Sequence, residues 1–315
     1  MFFDFVLILI TTALPCSLLA LGIFLTYRLL DFADLTAEGS LLIGASLTAR
    51  CINGGVNPFI ATIIGALGGA ICGLITGLLN RGLKIPKLLS GIITMTASST
   101  VAMIIMVLDK PNPDLSQLIN FISMDIADHP TIYSMFYVNN FNNSIIEAIV
   151  MLVVVVLVIF GLYYFFGTEY GMAIRNTGIN EKMARSQGIN TAAATVVCVA
   201  ISNALIALGG ALYVQDNLGV EVGNFSGYLV IGLASILIGE AIFGKRTFKN
   251  WLISVSLGAL VYFIIVVFAQ EVIHVQPNWM QLLYAILIII ALCLPSIKKG
   301  IVSLFKRKDK EAKEV

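Results

Sequence analysis

The stretch EYGMAIRNTGINEKMARSQGIN, residues 169–190, separates two long apolar runs and is itself polar and punctuated by glycine. Asn180 stands where a helix N-cap belongs, Glu181 falls in the first turn that would follow, and Gly188 stands where such a helix would stop. The pattern predicts a capped helix of about two turns. Because so polar an element cannot bury itself in lipid, we expect it to be a docking element outside the membrane; a plain connecting loop is the alternative.

The apolar runs on either side are typical of the whole chain. Of its 315 residues, 58% are hydrophobic and 12% are charged, and the mean hydropathy is +0.95. One soluble core cannot bury this much apolar surface. The sequence therefore predicts a polytopic membrane protein.

Nine apolar runs are candidates for membrane spans, because about 20 helical residues cross a hydrocarbon core of roughly 30 Å. They cover residues 5–27, 41–51, 58–79, 88–108, 144–166, 191–214, 225–243, 248–269 and 279–295. The second run is short and follows charged sequence, which favours an interrupted or re-entrant element. The predicted fold is an all-α transmembrane helix bundle of about eight to nine spans. It forms one domain over residues 1–297, followed by a charged tail over residues 298–315.

The polar segment over residues 109–143 is longer than a connection between two spans needs to be, and it contains several Pro and Asn residues. It either docks a partner, covers the mouth of the bundle, or forms an irregular surface loop.

The basic residues indicate the orientation. If the N-terminus is outside and all nine runs cross the membrane, 17 of the 19 Lys and Arg residues lie on the inner side, and only Arg50 and Lys110 lie outside. The positive-inside rule then predicts that residues 169–190 and the C-terminal tail are cytoplasmic. If the second run is re-entrant, the N-terminus changes side and the C-terminus stays inside.

Signals for catalysis or metal binding are missing from the sequence. The five cysteines lie in or beside apolar runs without paired spacing. There is no G-x-x-x-x-G-K-[ST] phosphate loop, no G-x-S-x-G and no H-E-x-x-H, and the two histidines are far apart. We therefore expect no enzyme, no metal site and no ATP site on this chain.

Polar residues within the spans are candidates for lining a translocation path, since such groups tend to face a cavity. They are Thr94, Thr96, Ser98, Ser99, Ser202 and Asn203. Ser and Thr hydroxyls can instead donate hydrogen bonds to carbonyls of their own helix. An amide needs a partner, so Asn203 either lines the path or bonds between helices, and Asn203→Leu is expected to alter transport more than stability.

Asp31, Asp34 and Glu38 form the densest group of charges near a predicted membrane edge, on the inner side. They could cap the short second run, pair with Arg28, or contact a cytoplasmic partner.

The motif in residues 171–190 resembles the cytoplasmic coupling segment of ABC importer permeases of the branched-chain amino acid and simple-sugar type. In that family the pattern G-x-A-x-R-A-x-G-x-N-x-x-x-A-x-x-x-G-I-N/D recurs. Nine positions match it: Gly171, Ala173, Arg175, Gly178, Asn180, Ala184, Gly188, Ile189 and Asn190. Asn176 stands where alanine is usual.

Two further stretches resemble the permeases of ABC importers labelled tryptophan/tyrosine transport systems. They are ALGIFLTYRLLDFADLTAEGSLLIGA, residues 20–45, and GLLNRGLKIPKLLSGIITMTA, residues 77–97. That group usually reads close to Y-R-I-L-D-F-x-D-L-T-V-D/E-G-S and K-I-P-x-L-L-A/S-G-I-L-T-M-T-A in these places. The resemblance thus extends over most of the chain.

The resemblance implies a homodimeric permease in the plasma membrane of a prokaryote. Two cytoplasmic subunits would bind ATP and Mg²⁺, an extracytoplasmic binding protein would deliver the solute, and neither a cofactor on this chain nor nucleic acid is involved. The residues that would couple this chain to the ATPase are Arg175, Gly178, Asn180, Glu181, Met183, Ala184, Arg185 and Gly188. The implied solute is a small one, an aromatic or branched-chain amino acid. The alternative is a secondary transporter or channel that works without an ATPase.

Overall fold

The structure is a computed structural model that describes residues 2–109, 121–124, 130–137 and 143–271, together with positions 282, 285–287 and 289. Ten α-helices occur in this part of the chain: α1 Phe2–Phe24, α2 Ala37–Asn53, α3 Pro58–Arg81, α4 Lys87–Val107, α5 Asn143–Phe165, α6 Glu169–Ile179, α7 Glu181–Ser186, α8 Thr191–Asn217, α9 Tyr228–Phe243 and α10 Phe248–Glu271. A π-helix, Leu25–Leu29, continues α1, and 3₁₀ turns span Ser134–Phe136 and Val222–Phe225. Strands β1 Phe121–Ser123 and β2 Gly219–Glu221 pair antiparallel.

The helical bundle confirms the predicted fold class. Six helices in the described residues are long and apolar enough to cross a membrane, and α9 is a shorter apolar helix. The helix bounds follow eight of the nine predicted runs to within a few residues, since each run is an uninterrupted apolar sequence with polar residues at its ends. The ninth run, residues 279–295, the tail over residues 298–315 and much of the segment 109–143 lie outside the described residues.

Helix α2 lies inside the bundle. It is 17 residues long and packs against α3, α4 and α8, with most of its side chains buried. The chain before it, from Leu30 to Thr36, is not helical, yet Phe32, Asp34 and Thr36 are buried. Alternate side chains of this irregular stretch are thus buried in the protein, and burial in protein is a condition under which non-helical backbone is tolerated at membrane depth.

Glycines allow the central helices to approach closely. Gly65, Gly69 and Gly73 of α3 share one face, and a Cβ at any of them would press against the backbone or side chains of α2 or α8. At Gly73 a Cβ would lie 2.5 Å from the Val199 carbonyl oxygen. Small residues at helix crossings let two backbones pack by direct contact, which drives association where lipid gives no hydrophobic advantage.

The bundle has two distinct ends. At one, which we call the basic end, α6 and α7 lie beside the π-helix that ends α1, the end of α3 and the starts of α8 and α10. The end of α9 lies at the same end, where Glu240 pairs with Arg28 of the π-helix. At the opposite end, Arg50 and Asn53 of α2 bond to Asp109, and β1 pairs with β2. The chain alternates between the ends, α2 running towards the opposite end. The described part of the segment 109–143 packs there on the last turns of α8, through bonds from Tyr133 to the Leu212 carbonyl and from the Ile132 amide to Gln215.

Candidate coupling surface and buried polar network

Helix α7 has the caps that its sequence predicts. Asn180 Oδ1 accepts from the Met183 amide at 3.1 Å, which satisfies an N-terminal donor. At the other end Gly188 has φ +84°, and the Ile189 amide donates back to the Ala184 carbonyl at 3.1 Å. This left-handed glycine turn closes the helix. The predicted two-turn helix is confirmed as Glu181–Ser186.

Helices α6 and α7 present apolar side chains outwards among charges. Ile179 is 83% exposed and Met183 is 58% exposed, whereas Ala184 faces inwards and is buried. Lys182 and Arg185 line a shallow depression of about 720 Å³ on the same surface. Exposed apolar residues rimmed by polar ones are typical of a protein-binding surface.

Glu181 ties α7 to the spanning helices. Its carboxylate accepts from Arg81 Nη1 at the end of α3, at 2.7 Å, and from Arg185 at 3.0 Å. Arg81 also donates to Thr195 of α8 at 2.9 Å. The hydrogen bond from Arg81 is the main reason why the pKa of Glu181 lies below its ordinary value. Through these contacts α7 is joined directly to α3 and, by way of Arg81, to α8.

Two further contacts join α6 to other spans. A Cβ at Gly178 would collide with the Leu29 carbonyl oxygen, so only glycine lets α6 lie against the π-helix that ends α1. The guanidinium of Arg175 lies 4.6 Å from the centre of the Phe248 ring at the start of α10. The eight residues predicted to couple the chain to an ATPase thus lie on α6, α7 or their adjoining turns, in contact with four spanning helices.

A buried polar network lies deeper in the bundle, around Asn203. Its Nδ2 donates to Asp34 Oδ2 at 2.7 Å, and its Oδ1 accepts from Ser40 Oγ at 2.7 Å. All three residues are buried. Asn203 lies 12 residues into α8, roughly 18 Å from its start at 1.5 Å per residue. The structure therefore gives Asn203 the second of its two predicted roles, bonding between helices.

The other path candidates differ in their accessibility. Ser202 is fully buried and donates to the Gly22 carbonyl at 2.7 Å, a contact between α8 and α1. Thr94 and Ser98 of α4 are also buried, and Ser98 packs against Gly39 of α2. The accessible hydroxyl-bearing residues in this group are Thr96 and Ser99. The four path candidates on α4 donate to carbonyls of their own helix: Thr94, Thr96, Ser98 and Ser99.

The structure separates the three acidic residues that the sequence groups near the inner edge, Asp31, Asp34 and Glu38. Asp31 is at the basic end, where its carbonyl accepts from Lys87. Asp34 turns inwards to Asn203, and its Oδ1 accepts from the Thr36 amide at 2.9 Å, next to the start of α2. Glu38 accepts from the amides of Gly227 and Leu229 and so caps α9 rather than its own helix. The non-helical stretch before α2 separates the three, because it enters the bundle instead of following its surface.

Arg28 takes a partner that sequence reasoning missed. Its Nη2 donates to Glu240 Oε2 at 2.6 Å, and Glu240 Oε1 accepts from Trp251 Nε1 at 2.9 Å. These contacts join α1, α9 and α10 at the basic end. The sequence does show a charge at the end of each of the runs 5–27 and 225–243. It cannot predict that these two charges pair, because they lie 212 positions apart and meet only in the folded protein.

The described residues hold no cluster of His, Cys, Asp or Glu placed to bind a metal ion, and Cys16, Cys51, Cys72 and Cys198 are free thiols. The fold and its polar elements define a multi-pass membrane protein with a capped helix pair anchored at one end of the bundle.

The chain belongs to the family described as branched-chain amino acid transport system / permease component, which residues 5–292 match. A tyrosine transport system permease protein of Clostridioides difficile is 31% identical over 279 residues, covering 89% of this chain and 87% of that protein. A nucleoside ABC transporter permease protein of Lactococcus lactis is 25% identical, covering 66% of this chain and 65% of that protein. An uncharacterised protein of Rickettsia prowazekii is 27% identical over 92% of this chain and 98% of its own length. No solved structure matches the chain.

Proposed function

We propose that this chain is the membrane-spanning permease subunit of an ABC importer. The observation that carries the proposal is the α6–α7 pair. Its exposed Ile179 and Met183 form an apolar contact on a polar surface, and the Glu181–Arg81 pair connects that surface to the spans. Closure of two cytoplasmic ATPase subunits would move α7, and α3, α8 and α1 would tilt with it, giving alternating access.

The proposed orientation places the basic end in the cytoplasm. The described Lys and Arg residues lie at that end except for Arg50, which pairs with Asp109 at the opposite end. The positive-inside rule then puts the N-terminus outside and the C-terminus inside, in the plasma membrane of a prokaryote.

We propose that two copies of the chain enclose the path and that an extracytoplasmic binding protein delivers the solute. In one copy Thr96 and Ser99 are the accessible members of the predicted path set, so the face of α4 that carries them is the part offered to the solute. Thr94, Ser98, Ser202 and Asn203 would reach the solute only after the helices rearrange. The solute proposed is an aromatic or branched-chain amino acid, supported by the Clostridioides relative.

The test is co-purification of the permease with the ATPase and binding protein encoded beside it, followed by ATPase assays with candidate amino acids. Met183→Asp places a charge in the apolar contact and is expected to weaken ATPase association about tenfold or more. Met135→Asp is the matched control, because Met135 is also exposed, at 46%, but lies at the opposite end; this variant should associate normally. Equal association of both variants would remove α7 from the interface.

A secondary transporter remains a second candidate because Asp34 lies at membrane depth. Ion-coupled transporters place acidic groups there, and Asp34 is bonded to an amide rather than to a cation. Reconstitution of the permease alone separates the two functions. Uptake driven by a proton or sodium gradient without ATPase would replace the importer proposal.

A further inference from the structure

A pocket at the basic end has no role in the proposed function, although Arg175 of the predicted coupling set contributes to its lining. It forms where α5 passes into α6 and where α10 begins, and its volume is about 700 Å³. Its polar lining consists of Tyr163, Tyr164, Thr168, Arg175, Thr247 and Lys249. None of its lining residues is acidic.

The two cations in this pocket are not neutralised by the protein. Elsewhere at the basic end, the described guanidinium groups of Arg28, Arg81 and Arg185 pair with Glu240 or Glu181. Within the described residues, neither Arg175 nor Lys249 has a carboxylate partner. Arg175 is held by the face of the Phe248 ring, which leaves its N–H donors available. The pocket is therefore suited to an anion.

An apolar groove continues from this pocket into the membrane region. It runs between α1, α5 and α10, has a volume of about 390 Å³, and shares Tyr163 and Lys249 with the pocket. On α5 it extends from Leu152 to Tyr163, which is roughly 16 Å along the helix. That length is about half of a hydrocarbon core. A charged pocket that opens into an apolar groove matches a molecule with an anionic head and a hydrocarbon chain.

We propose that the pocket and groove bind one anionic phospholipid of the cytoplasmic leaflet. Its phosphate lies between Arg175 and Lys249, the hydroxyls of Tyr163 and Thr247 are available as further donors, and one acyl chain follows the groove. The assignment to the cytoplasmic leaflet rests on the proposed orientation of the chain. The proposed binding of the lipid does not depend on that orientation. Basic pockets between spanning helices on the cytoplasmic side are suited to such headgroups. The lipid would bridge α6 and α10, and so hold the proposed coupling segment against the bundle.

The experiment titrates the purified full chain, in mild detergent and without an ATPase, with phosphatidylglycerol or with phosphatidylcholine of the same acyl chains. Native mass spectrometry and thermal unfolding measure the binding. Phosphatidylglycerol is expected to bind and raise the unfolding temperature, and phosphatidylcholine is expected to do neither. Lys249→Gln should weaken binding about fivefold or more, and Lys249→Arg should retain it, which also shows that the site folds.

Arg246→Gln is the matched control, because Arg246 is a neighbouring exposed cation that does not line the pocket. It should bind phosphatidylglycerol as the unchanged protein does. Glycerol phosphate, the soluble headgroup analogue, should raise the unfolding temperature of the protein only slightly. If glycerol phosphate raises the unfolding temperature as much as phosphatidylglycerol does, the site binds a soluble anion. If Arg246→Gln loses as much phosphatidylglycerol binding as Lys249→Gln does, the attraction is unspecific. Either result overturns the proposal. Since no ATPase is present, a negative result here leaves the importer proposal standing.

Discussion

Asn203→Leu removes the centre of the buried polar network. Leucine has the same branching and the same number of side-chain heavy atoms as asparagine, with larger methyl groups at its end, and three hydrogen bonds of the Asn203 amide are lost. Asp34 Oδ2 loses the donor at 2.7 Å, Ser40 Oγ loses its acceptor, and the Val199 carbonyl loses a bond of 2.9 Å. The structure therefore favours a loss of stability, whereas the sequence alone favoured a loss of transport.

The size of the destabilisation follows from the buried polar groups that Asn203→Leu leaves without a hydrogen-bond partner. Polar contacts between helices in a membrane contribute about 0.6 kcal/mol on average and about 1.7 kcal/mol at most. A buried charged group that loses its partner costs about 1–3 kcal/mol or more. Because Asp34 and Ser40 are buried, solvent cannot replace the lost bonds. We expect the free energy of unfolding to fall by about 2–4 kcal/mol.

The assay is reversible unfolding of the purified permease in mixed micelles, with transport per folded molecule measured beside it. Ser202→Ala is the control, since Ser202 lies next to Asn203 and loses one bond to the Gly22 carbonyl. Asp34→Asn should partly rescue Asn203→Leu, because an uncharged amide costs less than a carboxylate to bury without the Asn203 donor. If Asn203→Leu is no less stable than Ser202→Ala, or if Asp34→Asn gives no rescue, the network does not carry the stability assigned to it.

Three further predictions concern the α6–α7 surface. Gly188→Val forces a β-branched residue to φ +84° and should cost about 1–3 kcal/mol locally, so that ATP hydrolysis no longer drives uptake. Gly188→Asn should be tolerated. Equal coupling of ATP hydrolysis to uptake in both variants would contradict this prediction. Gly178→Ala should lower the amount of folded permease, because its Cβ collides with the Leu29 carbonyl; normal yield and melting temperature would show that α6 can move away. The pKa of Glu181 lies below its ordinary value of 4.5, so its pair with Arg81 stabilises α7 above pH 4.5 and is lost as the pH falls through the folded pKa. Hydrogen exchange of α7 should therefore rise at acid pH, and Glu181→Gln should show no such pH dependence.

The local parts of the proposed coupling surface could be read from the sequence. The cap at Asn180, the turn at Gly188 and the polar character of residues 169–190 each depend on neighbours within a few positions. The same holds for the spans, because the length and apolarity of each run are properties of one continuous stretch. Their roles in coupling stay predictions until an ATPase is bound.

The partners of the charged residues could not be read in this way. The sequence left Glu38 three roles, which were capping the second run, pairing with Arg28 or contacting a cytoplasmic partner, but it caps α9, 189 positions away. Asp34 was expected at the edge, but the irregular stretch before α2 carries it to Asn203, 169 positions away. Both pairings depend on how far a short non-helical segment enters the bundle, and no local pattern encodes that depth.

The sequence by itself determined the all-α membrane class, the positions of the apolar runs and the capped helix between them, because hydrophobicity, length and capping act over short distances along the chain. Only the tertiary structure decided that Asn203 bonds between helices, that Arg28 meets Glu240, and that Gly178 lies against α1. Those contacts join residues far apart in the chain. They arise because buried polar groups must find a partner wherever close helix packing brings one within reach.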